Sequence, residues 1–173
     1  LLKRLARTYG RAVTTDMGKA YAFPRPEDLA ATTPGRLREL GFSRKKGEAI
    51  IALANAIAGG EDLEALAALP DDQAIARLRG LPGIGRWSAE YVLLRGLGRI
   101  HIFPGDDIGG RNNLQQWMNI KSPLDYESIR STLTRWQPYG GLIYFHLLLD
   151  RLAEKGLLKP LVNIKELPVN MDI

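Results

Sequence analysis

The chain has no cysteine. Disulfides, thiolate-bound zinc, cysteine-ligated iron–sulfur clusters and a thiol nucleophile are therefore excluded. Histidine is almost as scarce, and His101 and His146 lie too far apart to form a short ligand motif, so a histidine-built catalytic metal site is not expected. No apolar run reaches the roughly 18 residues of a membrane span, and no secretory leader is visible. These absences predict a soluble, cytoplasmic protein with no membrane role. Strong charge bias is also lacking. Twenty-four Lys and Arg against 19 Asp and Glu leave +5, with a pI ≈ 9.6. That balance suits a protein that meets nucleic acid on one face, and equally an ordinary enzyme. Arg outnumbers Lys 16 to 8, a preference that favours forked contacts to phosphate.

What is present suffices for one compact domain: 173 residues, 45% of them apolar. Helix signals dominate. Leu1 to Gly10 reads as the last turns of an amphipathic helix closed by a glycine cap. With no initiator Met, the chain is expected to lack the N-terminal part of a longer protein. Thr33-Pro34 opens a short helix ending at Leu40-Gly41, and Ser43 caps another that runs to about Gly59. Asp62–Leu69 and Asp71–Arg79 both start with acidic residues, as helix N-termini favour. Further helices are expected from about Arg86 to Leu97 and near 107–118, 125–135 and 140–155. Residues 98–106 read as an ordered loop. No alternating strand pattern stands out beyond a weak one at Ile100 to Phe103. The proline-marked stretch 159–173 reads as a C-terminal extension. The expected fold class is all-α.

The densest signal is Leu81-Pro82-Gly83-Ile84-Gly85-Arg86-Trp87-Ser88-Ala89. Two glycines around one apolar residue allow positive φ and a close backbone approach with no Cβ in the way. Helical patterns lead in through Leu78 and Leu81 and out through Ala89, Val92 and Leu93. Such a turn presents backbone N–H groups at a new helix N-terminus, where the dipole also favours an anion. It is expected to clamp a phosphate.

Twenty-two residues after Gly85 stands a carboxylate, Asp107. It lies at a predicted helix start, in phase with Leu114 and Met118 and hence turned inward. An N-cap role and a chemical role can coexist there. Arg111, four residues on, is placed to pair with that carboxylate or with DNA. Trp87 and Tyr91 fall one turn apart on the same face as the hairpin. Arg44-Lys45-Lys46 reads as a solvated face, His146 as a core histidine, and His101, Trp117 and Trp136 as loop or core packing.

The segment from Leu78 to Leu93, taken with Phe103-Pro104-Gly105-Asp106-Asp107 and Trp136-Gln137-Pro138-Tyr139, resembles the helix-hairpin-helix DNA glycosylase superfamily. Its 3-methyladenine DNA glycosylase II branch is the nearest in pattern. The resemblance implies two helical lobes around a cleft and a monofunctional enzyme that flips and hydrolytically excises alkylated purines. It implies Asp107 as the catalytic residue. Gly83, Gly85, Arg86, Ser88 and Arg111 would contact DNA. The carbonyls of Arg79, Leu81 and Ile84 would hold a monovalent structural cation, and no other cofactor is required. Trp87 and Tyr91 would line the base pocket. Trp87 occupies the position where bifunctional members carry a Schiff-base lysine, so no lyase activity is expected. Leu148 falls where some members place a pocket Trp, and Tyr144 is the candidate to replace part of that wall. The implied partner is double-stranded DNA with damaged bases, met by a monomer at the nucleoid. The competing expectations are a non-catalytic phosphate-anchoring module and a helical protein-interaction domain.

Overall fold

In a computed structural model, residues 1–158 are described, and the chain divides into two compact units, Leu1–Gly98 and Arg99–Ile173. Both are mostly helical. The C-terminal extension expected at 159–173 lies outside the described residues.

The first unit contains α1 (Leu2–Tyr9), β1 (Ala12–Thr15), β2 (Gly18–Tyr21), α2 (Pro26–Ala30), α3 (Pro34–Glu39), α4 (Arg44–Ala58), a 3-10 turn (Glu64–Ala68), α5 (Asp71–Arg79) and α6 (Arg86–Arg95). Local chemistry sets the helix starts. Thr33 accepts the Arg36 N–H at 3.3 Å, and Ser43 accepts that of Lys46 at 3.3 Å. Proline opens α2 and α3, where its missing N–H costs nothing. Leu5, Leu29, Leu37, Phe42 and Ala54 form the core, with Tyr9, Leu40, Ile50 and Ile51 against it. Each fully buried Leu or Phe contributes roughly 1.5–3 kcal/mol. Gly47 is buried on the face of α4 that packs on Leu37.

Three local expectations are corrected here. The antiparallel hairpin β1–β2 pairs Ala12 with Tyr21 and Thr15 with Gly18 in a stretch that carries no strand pattern, whereas residues 100–103 form no strand. Asp62–Leu69 is not an α-helix. Its Asp62 carboxylate accepts the Glu64 and Ala65 amides at 3.0 and 3.3 Å, and a 3-10 turn follows. Gly10 ends α1 at φ −82°, in extended backbone rather than a left-handed cap.

The second unit contains α7 (Ile108–Trp117), α8 (Tyr126–Leu133), a 3-10 turn (Thr134–Trp136) and α9 (Gly140–Glu154). Asp125 caps α8 by accepting the Ser128 N–H at 2.8 Å. The loop before α7 meets the start of α9, where the Gly141 amide donates to the Ile100 carbonyl at 2.7 Å. A Cβ on Gly140 would sit 2.9 Å from the His101 carbonyl oxygen, so glycine is required for that approach. Phe103, Leu114, Leu124, Ile129, Leu133, Tyr144 and Leu147 are buried. Two residues depart from expectation. His146 is exposed rather than in the core. Trp117 is 56% exposed and packs on Trp136 with centroids 5.4 Å apart, while the Arg135 guanidinium covers the Trp136 ring at 4.0 Å.

Candidate active site

In the first unit the glycine turn joins α5 to α6, and the two glycines divide the work. Gly83 has φ +81°, the conformation that turns the chain. Gly85 has φ −88° and is the N-cap of α6, which corrects the expectation that both would take positive φ. An ideal Cβ on Gly85 would meet nothing within 4 Å, so its backbone faces open space. Among the described residues, neither the Gly83 nor the Gly85 amide meets an acceptor. Two such donors at the head of a ten-residue helix are the kind of arrangement that can accept an anion. Arg86 is exposed at the first helical position and Ser88 is half-buried. The Leu81 carbonyl accepts the Ile84 N–H at 3.2 Å, and the carbonyls of Arg79 and Ile84 accept none among the described residues. Three carbonyls with spare lone pairs are a donor set that fits a hard monovalent cation.

Trp87 and Tyr91 stack, with centroids 5.7 Å apart and planes 29° from parallel. Trp87 is 43% exposed and so is not a core side chain. Tyr91 is already engaged. The Arg95 guanidinium donates to its hydroxyl at 3.2 Å and lies 5.7 Å from its ring centre. An incoming cation would meet that resident charge on the Tyr91 ring.

In the second unit Asp107 caps α7. Its Oδ1 accepts the Gly109 and Gly110 amides at 2.8 and 3.1 Å. Its Oδ2 accepts a hydrogen bond from the Tyr144 hydroxyl. Asp107 itself is half-buried. The arrangement is a fixed anion, partly shielded from water, able to oppose positive charge developing nearby.

The remaining expected residues fall in different places. Tyr144 is 1% exposed beneath the carboxylate, not on an open pocket wall. Leu148 is half-buried one turn further along α9. Arg111 forms no ion pair with Asp107. Its Nη1 donates to the Leu124 carbonyl at 3.3 Å, and its buried Nε has no partner among the described residues. Arg111 thus turns toward the loop before α8. The Tyr144–Asp107 contact spans 37 positions, so helical phase within either segment carries no sign of it.

Residues 1–138 match the family described as HhH-GPD superfamily base excision DNA repair protein. The chain is 35% identical over 149 residues to DNA-3-methyladenine glycosylase 2 of Escherichia coli (strain K12), covering 85% of this chain and 49% of that protein. It is 30% identical over 148 residues to DNA-3-methyladenine glycosylase of Bacillus subtilis (strain 168), covering 85% of this chain and 49% of that one. The solved 3-methyladenine DNA-glycosylase from Archaeoglobus fulgidus superposes with a TM-score of 0.73 at 30% identity, over 86% of this chain and 50% of that one. The chain thus spans about half the length of the curated relatives it matches. By its hairpin, its helical fold and a match that runs through α8 to Pro138, it belongs to the HhH-GPD superfamily of base excision DNA repair proteins.

Proposed function

We propose that this chain is the catalytic part of a monofunctional DNA glycosylase that excises alkylated purines from duplex DNA. The observation that carries this is the Asp107 carboxylate, held at the head of α7 by two backbone amides and the Tyr144 hydroxyl. The hairpin amides of Gly83 and Gly85 grip a backbone phosphate, with Arg86 and Ser88 beside them. The carbonyls of Arg79, Leu81 and Ile84 would hold a monovalent cation that stiffens the turn. The damaged nucleotide is extruded, at a cost of a few kcal/mol that falls at weakened pairs. Its base stacks on Trp87.

The C1′–N bond then breaks, and the base leaves with the electron pair. Positive charge builds on the sugar, opposed by Asp107. Water adds to C1′ and loses a proton to solvent, leaving an abasic site. A cationic alkylated base is already a good leaving group, so no strong general acid is required. Trp87 stands in place of an amine, so no Schiff base forms and the strand is left intact. The relatives' names support the lesion class. The protein acts on damaged duplex DNA as a monomer, at the nucleoid of the cytoplasm.

The deciding experiment incubates full-length protein with methylated duplex DNA and measures free 3-methyladenine and 7-methylguanine. Release by the parent and its loss in Asp107→Asn, with duplex affinity within a few-fold, is the expected result. Duplex binding without any base release from the parent would identify a non-catalytic anchor instead. Borohydride should trap no covalent complex. A trapped adduct would overturn the monofunctional assignment.

A further inference from the structure

We infer that Tyr144 is a positioning residue that aims the Asp107 carboxylate and limits its basicity, and that Gly110 lacks a side chain to make room for it. The inference rests on the proposed glycosylase reaction for its kinetic consequence, but its geometry stands by itself.

Tyr144 is fixed from several sides. Phe103 meets its ring edge-on at 5.3 Å and 82°, and Phe145 lies 6.0 Å away at 61°. A Cβ on Gly110 would sit 2.6 Å from Tyr144 Cε2 and 3.0 Å from Cδ2, closer than side chains pack. The ring therefore occupies the space that any other residue at position 110 would fill. A phenol this deeply buried needs a partner for its hydroxyl, and that partner is Asp107 Oδ2.

The distribution of donors matters. A carboxylate offers about four lone-pair sites. Oδ1 spends its capacity on the two α7 amides, and Oδ2 spends one site on Tyr144. The amides hold Oδ1, and the phenol, bound to Oδ2, sets the carboxylate plane. The same hydrogen bond withdraws proton affinity from the carboxylate. Asp107 is thereby better suited to oppose charge on the sugar than to take a proton from water.

The test is Tyr144→Phe, which keeps the ring and its packing. Single-turnover release of methylated purines should fall about 10- to 100-fold, as for loss of a hydrogen-bonding partner that orients a functional group. KM and duplex affinity should not change. The acid limb of the pH–rate profile should move to higher pH. A profile superimposable on the parent's would overturn the inference. In Gly110→Ala the added methyl displaces the ring. Combining it with Tyr144→Phe should cost little more than Gly110→Ala alone, whereas full additivity would contradict the shared mechanism. A second readout needs no activity. Thermal unfolding of parent and Tyr144→Phe should differ at neutral pH and converge as acid protonates the carboxylate. A pH-independent gap would refute the role even if the parent releases no base, while convergence without base release would refute only the glycosylase proposal.

Discussion

Gly83 turns against Ala49 of α4 so closely that a Cβ on it would lie 2.4 Å from the Ala49 Cβ. Gly85, two residues on, faces nothing within 4 Å. One glycine serves the fold and the other leaves the backbone approachable, so their substitutions should separate. Gly83→Ala combines a clash with a left-handed φ and should destabilise by about 1–3 kcal/mol in denaturant unfolding. Gly85→Ser supplies a better N-cap in open space and should hold or raise stability. Its side chain would nonetheless obstruct a phosphate, so duplex affinity should drop and its salt dependence become shallower. Equal effects of the two variants on stability would contradict this division.

Trp87→Ala should leave folding nearly intact, because the ring is 43% exposed. Its cost should appear as selectivity. A cation over an aromatic face gains roughly 0.5–2 kcal/mol, so release of cationic bases should fall by about 2- to 30-fold more than release of neutral hypoxanthine. Parallel losses on both substrates, measured in competition, would remove Trp87 as the stacking platform.

Asp125 gives the second unit a pH-dependent element. Its hydrogen bond with Ser128 holds the carboxyl below its ordinary range, with a smaller contribution from the charge of Arg111. A depressed folded value means stabilisation that is present above the unfolded carboxylate value and lost as pH falls through the folded one. Asp125→Ala should therefore lower Tm at neutral pH, and the gap to the parent should close on acidification. The effect will be modest because the group is fully solvated. A gap that widens in acid would reverse the sign of the argument.

Much of this was legible in the residues because it is local. The caps at Thr33, Ser43 and Asp107 are each defined within four positions, and the helices they open begin where the side chains require. The glycine turn was legible for the same reason. The β1–β2 hairpin was not. Strand alternation needs one buried face, and seven of its eight strand residues are exposed, so Thr, Lys and Gly carry no contrast between faces. The signal that could have revealed it is Gly18, whose φ of +107° closes the turn after Asp16-Met17.

The site was legible only in its anchors. Asp107 could be singled out by spacing from the hairpin and Trp87 by resemblance to the family, but what surrounds them depends on tertiary packing. Tyr144 has the same helical phase whether it lines a pocket or supports a carboxylate. Burial against Phe103 and the empty side of Gly110 decide between them. His146 misled for a related reason, since α9 turns it outward while burying Tyr144 and Leu147.

The carboxylate that begins α7 is a structural joint and, in the proposed reaction, also a chemical instrument. Selection acting on either duty protects the other, so drift at position 107 is penalised twice. Asparagine is the narrow exception, since it can still accept the Gly109 and Gly110 amides while surrendering the negative charge. A natural relative carrying that replacement would be expected to retain its architecture and its hold on DNA, and to survive as a sensor of damage in place of a remover.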